Sequence, residues 1–391
     1  MNNHLMSTYK PLPVSFSHGD GHSLWDSNGK QYFDALCGIS VTSLGHNHPA
    51  VTKCITEQAS QLLHTSNLYH IDNQRELADL LSKHSGMDKV FFSNSGAEAN
   101  EAAIKLARLY GHSKNIDEPQ VIVMENSFHG RTMATLSATG NRKVQAGFEP
   151  LVKGFVRAPY NNIEAIQSIA ENNQNVVAIL VEPIQGEGGI NIPADNYLNE
   201  LRAICDANDW LLMLDEIQTG IARSGKLFAF QHNHIIPDVM TLAKALGNGI
   251  PIGACLAHGK AANLFQPGHH GSTFGGNPFV CKVASTVINT IVNQNLAQNA
   301  SDRGEQLVSL LQNELKDNEA VLEIRNKGLL VGISLDRPCA AMVSIALENN
   351  LLINVTADSV IRLLPPITMT STETEALATN LISCINQFLQ S

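Results

Sequence analysis

The sequence predicts an α/β fold: a large domain with a mainly parallel sheet covered by helices, plus a smaller α+β domain. Three observations carry that prediction. Short apolar runs recur at 121–124, 176–181, 211–214, 239–242 and 252–257. Helical patterns lie among them, at 97–110 and 197–208. Runs without apolar–polar alternation suit strands buried on both faces, which is how parallel sheets are built. From about residue 277 the texture changes to longer amphipathic helices and shorter strands.

In chain order, the first segment has short strand patterns split by turn signals. Asp26-Ser-Asn-Gly29 lies between Leu24-Trp25 and Tyr32-Phe33 and reads as a hairpin turn. The strand at 90–92 leads into the helix at 97–110, and the run at 176–181 precedes the helix at 197–208. After 277, helical patterns cover 278–293, 299–315 and 373–389, with strands at 329–334 and 360–364. The expected organisation is an N-terminal segment, 1–45, joining the small domain; a large domain, 46–276; and a C-terminal small domain, 277–391.

Composition narrows the partners. The chain has 391 residues, 43% hydrophobic and 16% charged, enough for a sizeable core in two to three domains. A formal net charge of −10 disfavours nucleic acid and anionic membranes, which need a basic footprint. Seven cysteines, with no C-x-x-C pair, suit reduced thiols in a cytoplasmic protein. The start lacks the pattern of a signal peptide, and no apolar run is long enough to span a membrane.

Two strand ends carry the chemistry. Trp210-Leu-Leu-Met-Leu-Asp215 ends in a carboxylate, and Asp238-Val-Met-Thr-Leu-Ala-Lys244 runs into a glycine-rich turn. An amine and a carboxylate so placed suit an aldehyde cofactor, the amine holding it as a Schiff base and the carboxylate pairing with a ring nitrogen. That is the pattern of a pyridoxal-phosphate (PLP) enzyme. The plainer readings are a turn aspartate and a surface lysine. A charge closing a buried strand nevertheless needs a partner.

Other blocks also follow strands. Ser93-Asn-Ser95-Gly-Ala-Glu98-Ala-Asn100 opens a helix, whose free N–H groups suit a phosphate; it also reads as a simple capping box, Ser95 with Glu98. In Phe128-His-Gly-Arg131-Thr132 the ring suits a flat cofactor and the arginine a carboxylate. Glu182-Pro-Ile-Gln-Gly-Glu187-Gly-Gly189 offers two carboxylates, and Arg362 is a lone charge in an apolar strand. Gly271-Ser-Thr-Phe-Gly-Gly-Asn277 is a hydroxyl-bearing loop. The histidine pairs His46/His48, His232/His234 and His269/His270 lack matching cysteine or carboxylate spacing, so no metal site is expected.

In order and spacing these blocks resemble the class III aminotransferases of PLP fold type I across nearly the full length. The likeness is greatest to the acetylornithine aminotransferase subgroup, which includes enzymes also acting on succinyl-diaminopimelate. It rests on Ser95-Gly-Ala-Glu-Ala-Asn-Glu101, Phe128-His-Gly-Arg-Thr132, Val181-Glu-Pro-Ile-Gln-Gly-Glu187, Leu214-Asp-Glu-Ile-Gln-Thr-Gly220, Lys244 and His270-Gly-Ser-Thr-Phe-Gly-Gly-Asn-Pro278.

The resemblance implies that Lys244 bonds the cofactor and shuttles a proton, and that Asp215 pairs with the ring nitrogen. Gln218 would touch the ring hydroxyl and Phe128 would stack on the ring. Gly96 and Ala97 would bind the phosphate, with Thr273 of a neighbouring subunit reaching the same group and Ser272 near the substrate. That arrangement implies a homodimer with shared sites. Arg131 would anchor the α-carboxylate of an acylated amino acid and Arg362 that of glutamate or 2-oxoglutarate. Glu187 would be the removable counter-charge of Arg362, and Tyr9 would lie near the substrate. Ornithine aminotransferases carry a tyrosine shortly before the Gly45-His-Asn-His-Pro49 block. The matching position here is Ile39, which suits an acylated nitrogen. The implied activity is N-acetylornithine:2-oxoglutarate aminotransfer by a ping-pong mechanism, a step of arginine biosynthesis. The rivals are succinylornithine, succinyl-diaminopimelate, free ornithine and 4-aminobutyrate as donors, a non-catalytic PLP-binding protein, and a nicotinamide dehydrogenase. A missing G-x-G-x-x-G counts against the last.

Overall fold

The computed structural model describes residues 4–390. Its centre is a seven-stranded sheet in the order Lys89–Ser93, Gly253–Ala257, Val239–Leu242, Leu211–Asp215, Val176–Val181, Gln120–Met124, Phe155–Ala158. Every neighbouring pair is parallel except the two made by Gly253–Ala257, which runs against both its neighbours. An apolar run reports burial, not direction, so the sequence could not orient that strand.

Alternate residues of each strand face opposite sides. Val121, Val123, Leu211 and Met213 pack with Ala103, Leu106 and Ala107 of the helix Gly96–Ser113. Ile122, Met124, Leu212 and Leu214 pack on the other side with Tyr197, Leu198 and Leu201 of the helix Tyr197–Asn208. The sheet therefore has helices on both faces. Its parallel strands all end at one edge, where the crevice of such a sheet takes its ligand.

The helices Pro278–Asn293, Leu296–Leu315 and Ser371–Leu389 match the expected ones to within three residues at their starts. Among the helices that the sequence pattern does not announce are Pro49–Ala59 and Asp72–Ser85. Each buries only three residues, which leaves too narrow an apolar stripe to stand out, and both pack on Pro278–Asn293.

The N-terminal strands Phe16–Asp20, Ser23–Asp26 and Gln31–Asp34 form an antiparallel sheet. Asp26 makes its turn: one carboxylate oxygen accepts from the N–H of Asn28 and of Lys30, at 2.8 and 2.9 Å. Leu351–Leu352 adds to this sheet beside Gln31–Asp34, so the chain's start is hydrogen-bonded to its C-terminal part. A third, antiparallel sheet contains Val321–Lys327, Leu330–Leu335, Val360–Leu363 and Asn354–Thr356, and presents Arg362.

All seven cysteines are buried and unpaired. Among the described residues no helix is long and apolar enough to cross a membrane, and no group of histidine, cysteine and carboxylate side chains could hold a metal ion. His46 instead bonds Asp34 at 2.8 Å, and His232 bonds the Ser224 carbonyl at 3.0 Å.

Candidate active site

The loops leaving the sheet's carboxyl edge surround a cavity of about 410 Å³. Gly96, Ala97, Phe128, Arg131, Glu187, Asp215, Gln218 and Lys244 all line it. Eight of the residues singled out in the sequence thus meet in one place.

Lys244 follows the strand Val239–Leu242 and opens a short turn with φ +47°, a left-handed conformation that costs a side-chain-bearing residue energy. Burial pulls its ammonium below the usual lysine value; Glu187 opposes this, Arg362 adds to it, and Asp215 and Glu182 oppose it.

Asp215 ends the adjacent strand and is buried. One oxygen accepts from Asn100 Nδ2 and bonds His129 Nδ1, both at 2.8 Å; the other accepts from Ile217 N–H at 3.1 Å. Asn100 is fixed in turn, donating to the His129 carbonyl and accepting from Thr241 Oγ1, each at 2.8 Å. Asn100 and His129 belong to the blocks at 93–100 and 128–132, where the sequence pattern assigns them no role. A buried Asn on an apolar helix face was the available signal, because such a group must find partners.

The helix Gly96–Ser113 points its N-terminus at the cavity. Ser95 caps it by accepting from Glu98 N–H, while Glu98 accepts from Asn94 N–H. The N–H groups of Gly96 and Ala97 have no hydrogen-bond partner among the described residues. The capping reading and the anion reading therefore hold together, since the cap leaves those two donors free.

Arg362 is fully buried, at 0% exposure. Nη1 donates to Glu187 Oε1 at 2.6 Å and Nε to Asn354 Oδ1 at 3.0 Å, while Nη2 has no partner among the described residues. Glu187 remains 36% exposed, so one half of the pair is anchored and the other can leave. Arg131 is exposed and lies 5.8 Å over the Phe128 ring. Phe128, Arg131 and Glu187 also line a neighbouring cavity of about 730 Å³, together with Arg142, Lys143 and Arg157.

Five expectations fall outside the chain's own cavity, the first being Arg362, which does not line it although its partner Glu187 does. Tyr9 is 88% exposed and does not line it. Thr273 is exposed, and Ser272 bonds Asn94 Nδ2 and Gly275 N–H instead. Ile39 packs with Ile184, Ile190, Leu330 and Leu364, and the residue that lines the cavity is Val41. The reason is local: residues 37–40 all have positive φ, and that left-handed turn redirects the side chains. The apolar character expected at this wall is kept, but two residues further on.

These groups fit PLP. Among the described residues Gln218 Oε1 is buried without a partner and Gly96 and Ala97 hold free donors for a phosphate, and a carboxylate, an amine and a ring share the cavity. The comparisons agree. A family model described as aminotransferase class-III matches residues 5–385. Acetylornithine aminotransferase from Nitrosomonas europaea is 55% identical, covering 99% of both chains. The solved acetylornithine aminotransferase from Elizabethkingia anophelis is 36% identical with TM-score 0.89, covering 98% of this chain and 96% of its own. An ornithine aminotransferase from Toxoplasma gondii, described with partial occupancy of PLP at its active site, is 35% identical with TM-score 0.96, covering 99% and 92%.

Proposed function

The chain belongs to the class-III aminotransferases, which are PLP-dependent, and from that premise we propose that it transfers the terminal amino group of N-acetylornithine to 2-oxoglutarate. The observation that carries the reading is the buried Arg362 held by a half-exposed Glu187. A pocket serving both half-reactions must take a dicarboxylate in one and an amine-bearing chain in the other. With Glu187 in place the arginine's charge is answered and the chain of the amine donor fits. With Glu187 withdrawn, Arg362 takes the α-carboxylate of glutamate. Full-length identity to enzymes named for acetylornithine supports the acylated donor, as does the apolar Val41 where a charged α-amino group would need a partner.

When bound, PLP supplies an aldehyde for the migrating amino group and a ring that withdraws electrons from the carbon losing its proton. Lys244 moves that proton at Nζ, and the burial that lowers its pKa favours the neutral amine able to accept it. Asp215, oriented by Asn100 and His129, would hold positive charge at the ring nitrogen. Gln218 would hold the ring hydroxyl, Phe128 the ring face, and Gly96 and Ala97 the phosphate. Arg131 takes the donor's α-carboxylate, and the adjoining cavity leaves room for the acyl group. In a cytoplasmic homodimer Thr273, Ser272 and Tyr9, which the single chain leaves outside its own cavity, serve a site shared between subunits.

The test mixes PLP-loaded protein, without keto acid, with N-acetylornithine, succinyl-diaminopimelate, free ornithine or 4-aminobutyrate, and follows loss of the cofactor's visible absorbance. Fast loss with the acylated donors is expected. Faster loss with free ornithine or 4-aminobutyrate overturns the donor assignment while leaving the Lys244 chemistry intact.

A further inference from the structure

Glu182 is a buried carboxyl in the cavity wall to which neither half-reaction has yet given work. Its two oxygens reach two different loops. Oε1 accepts from the Phe128 N–H at 2.9 Å, and Oε2 accepts from the Gly186 N–H at 3.2 Å. Phe128 carries the ring on the cavity wall, and Gly186 immediately precedes Glu187, the partner of Arg362. Gly186 also lies tight against Gln218: a Cβ there would overlap Gln218 Oε1. The carboxyl is itself held by its backbone, since the Tyr160 hydroxyl lies 3.2 Å from the Glu182 carbonyl and 2.9 Å from that of Pro183.

We propose that Glu182 is a positioning residue that locks the Phe128 ring and the Glu187 turn in one register, so that the cofactor's face and the counter-charge of Arg362 are set by the same side chain. Charge-assisted bonds to backbone N–H groups are strong and directional, and a carboxylate offers an accepting oxygen to each loop where an amide has a single oxygen. Without the bond to Gly186, the turn keeps its other supports, the Thr356 hydroxyl on the Glu187 carbonyl and Gln185 Nε2 on the Glu125 carbonyl at 2.7 Å. The turn then loosens rather than collapses. Glu187 spends less time on Arg362, and a buried guanidinium without its counter-charge faces the donor chain. Glutamate needs Arg362 free and is not penalised. The inference rests on the proposed reading of Glu187 and Arg362.

The test uses full-length Glu182→Gln and Glu182→Asp, the second keeping the charge but too short to span both loops. The two half-reactions are measured separately, with N-acetylornithine and with glutamate, and PLP affinity is measured by titrating the apoprotein. In both variants kcat/KM for N-acetylornithine is expected to fall about tenfold more than that for glutamate, roughly the effect of one charge-assisted hydrogen bond. PLP affinity is expected to fall several-fold through Phe128. Equal losses in the two half-reactions, or no loss, overturn the inference, because a general loosening has no reason to favour glutamate. Wild-type protein inert to N-acetylornithine defeats the functional reading instead. The PLP titration then still decides: unchanged affinity in both variants overturns the inference.

Discussion

Replacing Arg223 with methionine tests how the cavity wall is held. Arg223 is fully buried, at 0% exposure, and forms no ion pair among the described residues. Its guanidinium donates instead to Ser40 Oγ at 3.0 Å, Ser43 Oγ at 2.9 Å, the Leu329 carbonyl at 3.0 Å and the Pro365 carbonyl at 2.5 Å. One side chain thus ties the left-handed turn before Val41 to the start of the strand Leu330–Leu335 and to the segment just after Arg362. Methionine fills similar volume, so little cavity is created, and the two hydroxyls can rotate to new partners. The two carbonyls cannot, and each costs about 1–3 kcal/mol when left unsatisfied. Relief from burying a charge offsets part of this. The net loss should be about 3 kcal/mol. Guanidinium unfolding of the apoprotein reads it as a lower midpoint at unchanged slope. Arg223→Lys, reaching fewer acceptors, should fall between the two. A methionine variant within about 0.5 kcal/mol of wild type, the usual range of a neutral surface change, would refute the reasoning.

Three further outcomes are expected. Lys244→Ala should abolish turnover and the borohydride-reducible chromophore while leaving the unfolding midpoint of the apoprotein near wild type; turnover at the wild-type rate sinks the mechanism. Glu187→Gln keeps the hydrogen bond to Arg362 but removes its counter-charge, so kcat/KM should drop at least tenfold for N-acetylornithine and little for glutamate, read in the separate half-reactions. Glu216 is pushed up to about 7 by burial, against the N–H groups of Ala229 and Phe230 and the Thr219 hydroxyl that lower it. Its folded value lies above the unfolded one, so the native state holds the extra proton between about pH 4.5 and 7, and stability falls as pH rises through that window. Glu216→Gln has no such proton, and its stability should decline less between pH 5 and 7, by up to about 1.4 kcal/mol per pH unit; identical slopes would contradict the assignment.

Much of the architecture follows from local pattern alone. Val176–Val181 and Leu211–Asp215 read as buried strands because every position is apolar up to the closing carboxylate, and both are buried throughout. Tyr197–Asn208 and Pro278–Asn293 appear over the expected residues because their periodicity and flanking residues are contained within the segments. Asp215 and Lys244 stood out because a charge closing an apolar strand demands a partner. Which partner was not legible. Asn100 and His129 reach Asp215 across 115 and 86 residues, and Glu187 reaches Arg362 across 175. The reversed Gly253–Ala257 strand and the turn that puts Val41 rather than Ile39 in the wall belong to the same class. Segment identity depends on neighbours a few positions away and is written in the sequence. Strand direction, side-chain aim after a left-handed turn and long-range pairing depend on where the chain brings distant segments together, and only the tertiary structure decides them.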